Sequence, residues 1–143
     1  MNNVILTMGI LVYMSSAMHL QVVYEQNVLE KKALQMDADE AAVSAALTGT
    51  CYEKEEKNRK KTCRMVLQSQ AARRAAESAV QMNRKNAGGT VSVRCFCSGG
   101  VNPSVRVEVR KGKLKADSAY EWVRIRRGKE KNRKYLYKLH KIR

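Results

Sequence analysis

The chain has 143 residues, which is room for one domain with an appendage. Its formal net charge is +15, and a surplus of this size indicates an anionic partner or simple solubility. The sequence has two histidines and contains no Ser/His/Asp, Cys/His or phosphate-loop arrangement. No catalytic motif is therefore recognisable in it. The sequence thus predicts a protein that is not an enzyme and that needs no cofactor and no metal.

The chain begins with an apolar segment. From Val4 to Val23 about 20 residues carry no charged side chain, which is the length that crosses a bilayer. Ser15, Ser16, His19 and Gln21 make the span marginal in hydropathy. A cleaved signal peptide would need a basic n-region, which is absent, and a buried helix of a soluble domain is the other alternative. We predict that residues 1–24 are an uncleaved transmembrane anchor.

An alanine-rich segment, Leu34–Ala46, follows the anchor. Neither Pro nor Gly interrupts the chain between the two, so one helix is predicted to continue to Gly49. Small residues at spacings of three and four form a narrow stripe that lets another backbone approach closely. Asp37, Asp39 and Glu40 are expected on the opposite, solvated side. The predicted helix-interface residues are Leu34, Ala38, Ala41, Ala42, Ala45 and Ala46.

The same segment reads Leu-Gln-x-x-Ala-Asp-x-Ala-Ala-Val-x-Ala-Ala, just after an N-terminal hydrophobic helix. This pattern resembles the signature of the TadE/TadG-like pseudopilins of the tight-adherence (Flp-type) pilus. The resemblance covers roughly the first third of the chain. The matching positions are Leu34, Gln35, Ala38, Asp39, Ala41, Ala42, Val43, Ala45 and Ala46.

The resemblance implies a structural role as a minor pseudopilin or assembly factor of a tight-adherence pilus or secretion system. Its partners would be the inner membrane and other pilin-like or pilus-assembly subunits. It implies a single-pass protein whose C-terminal domain lies outside the inner membrane, in the periplasm. Lys31 and Lys32 follow the span and no basic residue precedes it, so the positive-inside rule taken alone favours the opposite orientation.

The middle of the chain combines a charged stretch with a helical one. Residues Cys51–Cys63 are expected to form a solvated loop or a frayed helix end. A second helix is predicted from Cys63 to about Asn86, packed on the alanine stripe, with Arg84 facing outward.

Four cysteines, an even number, suit two disulfides in an oxidising compartment. Cys95 and Cys97 stand two positions apart on a predicted strand and point the same way, so they would pair with each other only under strain. Two bridges from Cys51 and Cys63 to this strand are therefore favoured, with either pairing open. A zinc site and four free thiols are the alternatives.

The C-terminal half predicts an antiparallel meander. Thr90–Cys97 and Ser104–Arg110 alternate with period two around a Gly-Gly turn, and Ala119–Ile125 is a third strand. The predicted fold class is α+β: a long N-terminal membrane-anchoring helix, a second helix packed on it and a small antiparallel β-meander, as in pilins. Residues 25–125 would form the extracytoplasmic domain.

Residues 126–143 form a basic tail with nine basic residues and one acid. We expect disorder, with contact to anionic lipid or a pilus partner next and nucleic-acid binding last. An alternative function is accordingly a basic protein that binds nucleic acid or another anionic surface. The residues predicted to contact an anionic surface are Arg126, Arg127, Lys129, Lys131, Arg133 and Lys134.

Overall fold

The computed structural model describes the backbone of residues 2–57, 60–85, 88–125 and 136–142. Side chains are described for residues 3–53, 64–85, 88–125 and 137–142. The chain divides into two compact units, Met1–Ala33 and Leu34–Arg143. Eight elements follow one another: α1 (Asn2–Gly49), β1 (Thr50–Lys57), β2 (Lys60–Leu67), α2 (Ser69–Asn83), β3 (Ser92–Ser98), β4 (Ser104–Lys111), β5 (Leu114–Ile125) and β6 (Leu136–Ile142).

The described part of the first unit consists of α1 alone. A stretch of this helix is long and apolar enough to cross a membrane, and none of that stretch is buried. Two of its hydroxyl groups are satisfied within the helix: Thr7 Oγ1 donates to Asn3 O at 2.8 Å and Ser16 Oγ donates to Val12 O at 2.8 Å. Such back-bonding removes much of the cost of placing a hydroxyl in a nonpolar medium.

The second unit contains two antiparallel sheets. The strands β1 and β2 form a two-stranded ribbon in which Thr50 faces Leu67. The other sheet has the order β3-β4-β5-β6, with neighbours in sequence paired throughout. Because side chains alternate across a strand, this meander has one face turned to the helices, the inner face, and one turned to solvent, the outer face.

The core lies between the inner face and the two helices. On β4 the inner-face residues Val105, Val107 and Val109 are almost fully buried. The helix α2 contributes residues at spacings of four, which fall on one side of a helix. The buried cluster comprises Leu34, Ala38, Ala41, Ala42, Ala45, Ala46, Ala72, Ala76, Val80, Val105, Val107, Val109 and Ala116.

The predicted α+β class, with a long apolar N-terminal helix, a second helix and an antiparallel meander, is confirmed. Three predictions were wrong in detail. Of the stretch Cys51–Cys63, residues 51–57 and 60–63 lie in the β1–β2 ribbon and not in a loop or helix end. The helix α2 begins at Ser69, six residues later than predicted. The tail contains β6, which pairs with β5, so residues 136–142 are ordered and not disordered. Residues 126–135 lie outside the described part of the chain.

Candidate interface surfaces

The alanine stripe of α1 is an interface within the second unit. All six predicted helix-interface residues have no exposed surface, and they share one cluster with α2 and the sheet. Just before α2, Gln68 N donates to Gly49 O at 2.7 Å, which extends the β1–β2 pairing to the end of α1. From the sheet, Trp122 Nε1 donates to Ala46 O at 3.2 Å. The stripe therefore packs the end of α1 against its own domain.

The prediction that Asp37, Asp39 and Glu40 are solvated was wrong for Asp37, and all three make contacts. Asp37 and Arg84 form an ion pair in which each side chain is only 9% exposed. Glu40 accepts a hydrogen bond from Asn83 Nδ2. Arg84 had been predicted to face outward. It turns inward because the last turn of α2 runs beside this part of α1, where the Asp37 carboxylate supplies an opposite charge.

Two residues of the signature-like segment hold the sheet. Asp39 forms an ion pair with Lys141 Nζ on β6 at 2.7 Å. Burial opposes ionisation of the Asp39 carboxyl, but hydrogen bonds from Lys141 and Gln35 outweigh it, and the pKa is lowered. Gln35 Nε2 also donates to Asp117 O on β5 at 3.0 Å. The polar members of the segment thus fasten α1 to β5 and β6, while its alanines fill the core.

The predicted disulfides are not formed in the structure. Cys51, Cys95 and Cys97 are free thiols, and the side chain of Cys63 lies outside the described residues. Cys95 Sγ and Cys97 Sγ lie 3.8 Å apart on the inner face of β3. In the β1–β2 register Cys63 faces Lys54, three positions from Cys51 and about 10 Å along the strand, which is beyond disulfide reach.

The thiols of β3 belong to the core. Cys95 and Cys97 pack against the buried cluster, half-buried. Burial, together with the neighbouring Cys97 sulfur, raises the pKa of Cys95 to about 12. Among the described residues no group of three or more His, Cys, Asp or Glu side chains could hold a metal ion.

The first unit carries a large apolar surface. Every described side chain from Asn3 to Asn27 is exposed. The apolar members occur around the whole circumference of the helix and not in one stripe. The large ones are Val4, Ile5, Leu6, Met8, Ile10, Leu11, Val12, Tyr13, Met14, Met18, Leu20, Val22, Val23 and Tyr24.

The outer face of the sheet carries most of the charged side chains of β3 and β4. Glu108 lies at its centre, with Arg110 Nε at 2.6 Å and Lys115 Nζ at 2.7 Å. Hydrogen bonds from Lys115 and Arg110 lower the pKa of Glu108 to about 2. Arg106 pairs with Asp117 at 2.6 Å. The predicted anionic-surface residues Arg126, Arg127, Lys129, Lys131, Arg133 and Lys134 lie outside the described residues.

No family model, no curated protein and no solved structure matches this chain. Of the surfaces described, sequence reasoning identified the apolar helix and the alanine stripe. It missed the Asp37–Arg84 pair and the outer face, for which the available signals were the acids beside the stripe and the arginines alternating along β3 and β4.

Proposed function

We propose that the protein is a membrane-anchored, non-enzymatic structural subunit, a minor pseudopilin or assembly factor of a tight-adherence (type IV-like) pilus or secretion system. One observation carries the proposal: α1 exposes apolar side chains on all sides from Val4 to Tyr24. A helix that is apolar all round requires a nonpolar environment, and its uncharged length matches the hydrocarbon thickness of a bilayer.

Two features of the helix support packing against other apolar helices. Two hydroxyls of the span, on Thr7 and Ser16, are bonded to the helix backbone, so they add little cost in lipid. Gly9 has no side chain, which leaves a shallow notch on the helix surface between Ile5, Ile10 and Tyr13. In lipid, helices associate by van der Waals fit, and a small residue at such a notch admits a neighbouring side chain. The partners we propose are other pilin-like subunits of the same assembly.

The family proposal rests on the signature-like segment, whose residues have defined contacts in the second unit. Leu34 and the alanines are core residues, whereas Gln35 and Asp39 bond to the sheet. A run that must fit a close-packed helix on one side and hold two strands on another is constrained at most positions. Packing within this domain already requires small residues at the alanine positions, so the family proposal rests on their order with Gln35 and Asp39 and on the apolar helix that precedes them.

A matched pair of substitutions tests the anchor. Leu11 and Met36 are both exposed apolar side chains of α1, one inside the proposed span and one beyond it. Leu11→Arg should cost about 2.5–3.5 kcal/mol of insertion and release the full-length protein from alkali-washed membranes. Met36→Arg should leave it in the membrane pellet. Recovery of the wild-type chain in the soluble fraction without detergent would refute the anchored function.

The proposed orientation places the second unit in the periplasm, against the tendency of Lys31 and Lys32 to remain in the cytoplasm. Alkaline phosphatase fused after Arg143 is active only outside the cytoplasm, so phosphatase activity in intact cells is the expected result. An inactive fusion that is nevertheless membrane-bound would reverse the orientation while leaving the anchor in place.

A further inference from the structure

The outer face of the β3–β6 sheet has no described element packed on it, and it is positively charged. The second unit holds 26 basic and 11 acidic residues, so it carries the whole net charge of the chain. On the described outer face five cations stand against three acids, Glu108, Asp117 and Glu121. The cations are Arg94, Arg106, Arg110, Lys115 and Lys138.

An aromatic ring lies among the charged side chains of this face. Phe96, the only Phe of the chain, is 53% exposed on β3. Arg106 stands directly opposite it on β4, and Arg94 precedes it by two positions on the same face of β3. A single exposed apolar side chain needs no explanation. A ring between two arginines on a solvated sheet is a different arrangement, because it offers stacking and phosphate contacts side by side.

We infer that the outer face binds single-stranded nucleic acid, with a base stacked on Phe96 and neighbouring phosphates held by Arg94 and Arg106. Bases stack on aromatic rings regardless of sequence, and basic side chains along the same groove follow the backbone. Arg106 uses Nε and one Nη toward Asp117, which leaves further N–H donors of its guanidinium for a phosphate. The residues of this site lie on β3 and β4 and include none of residues 126–135, and the site does not depend on membrane anchoring.

The carboxylates of this face help to hold the site in shape. Asp117 fixes the Arg106 side chain at the surface, and Glu108 draws Arg110 and Lys115 flat against the sheet. All three cations remain about half exposed. The cations are thus positioned without being covered, and Phe96 keeps an open side.

The test uses the full-length protein in nanodiscs of uncharged lipid. Fluorescence anisotropy measures binding of a labelled 12-nucleotide oligo-dT and of an abasic 12-mer with the same phosphates. Phe96→Ser should weaken oligo-dT binding roughly 5- to 150-fold and leave abasic binding unchanged, whereas Phe96→Trp should retain binding. Val101→Ser removes an exposed apolar side chain, 70% exposed, that lies outside the face, and it should change the binding of neither strand.

The arginine contact has its own matched control. Arg94→Gln should lower the affinity for both strands, and it should reduce the slope of log affinity against log salt concentration by about 0.7. Arg74→Gln, an exposed arginine on α2, should reduce neither. The inference is overturned if wild type binds oligo-dT and the abasic strand with the same affinity and Phe96→Ser leaves both affinities unchanged. It is also overturned if neither binds, or if the protein binds only vesicles that contain phosphatidylglycerol.

Discussion

Gly49 and Ala72 approach so closely that a Cβ built on Gly49 would lie 2.6 Å from the Ala72 Cβ. It would also lie 3.1 Å from the Ala72 Cα and 3.2 Å from its backbone nitrogen. Two of these three atoms belong to the backbone, so no side-chain rotation can relieve the contact. The end of α1 and the first turn of α2 are therefore in contact through their main chains, which fixes where both helices lie on the sheet.

Gly49→Ala should destabilise the second unit by about 1–3 kcal/mol, because the added methyl overpacks a contact that cannot relax. The sign is informative, since Gly→Ala within a helix ordinarily stabilises by about 1 kcal/mol. Urea unfolding followed by circular dichroism measures the change. Gly99→Ala is the control, because its added Cβ would meet nothing within 4 Å. Equal stability of the two variants would contradict the close approach.

The Asp37–Arg84 pair should behave as a buried ion pair. Asp37→Leu alone leaves the Arg84 charge in the interior and should cost about 3–5 kcal/mol, as should Arg84→Met for the opposite reason. The double variant removes both charges and should be more stable than either single one. Its free energy of unfolding, measured by urea titration, completes a double-mutant cycle.

A matched cycle on Arg73 and Glu77 provides the reference. That pair spans one turn of α2 at 3.0 Å and is largely exposed, so its coupling should stay below about 1 kcal/mol. If the Asp37–Arg84 coupling were equally small, solvent would have to reach the pair, and its assignment to the interior would be wrong.

The sequence predicts those parts of the fold in which one periodicity dominates. The uncharged Val4–Val23 segment indicates a continuous helix, and the alternating valines of β4 indicate a strand with one buried face. The ribbon of β1 and β2 could not be predicted, because its charged residues show neither the helical nor the strand periodicity. Its pairing also depends on a register that is set where the chain reverses. The strand β6 was hidden for a similar reason, as basic residues occupy both of its faces.

The candidate surfaces show the same limit. Alanine spacing indicated the stripe, since volume and helical phase are local properties. Asp37 was predicted to be solvated because no single helix reveals a counter-charge 47 positions away. Phe96 was not singled out in the sequence, although its parity with Arg94 along β3 places it on the outer face.

Acid should destabilise the second unit through Glu108. Hydrogen bonds from Lys115 and Arg110 lower the folded-state pKa of this carboxyl from 4.5 to about 2. A lowered pKa contributes stability that is complete above the unfolded value and is lost as pH falls through the folded one. Between pH 4.5 and 2 the melting temperature of wild type should therefore fall more steeply than that of Glu108→Gln. Parallel curves across this window would show that the cluster adds nothing to folding.

Alkylation of Cys95 should be strongly suppressed by folding. Only thiolate reacts, and with a pKa of about 12 roughly one Cys95 in ten thousand is ionised at pH 8. An unfolded thiol has a pKa near 8.5, so labelling by iodoacetamide should be on the order of a thousandfold faster in urea. Peptide mass spectrometry locates the label. Similar rates in native buffer and in urea would contradict the burial of this thiol.

The same experiment decides the disulfide prediction for protein taken from its native cell. If Cys95 is labelled in urea without reductant, it is a free thiol, as in the structure. If labelling requires dithiothreitol, Cys95 is oxidised, and a peptide linked to the one that contains Cys51 or Cys63 would support bridges from the ribbon to β3. Such a bridge would add about 2–4 kcal/mol of stability by constraining the unfolded chain. If the thiols are free in the exported protein, the role of Cys95 and Cys97 is to pack beneath α2.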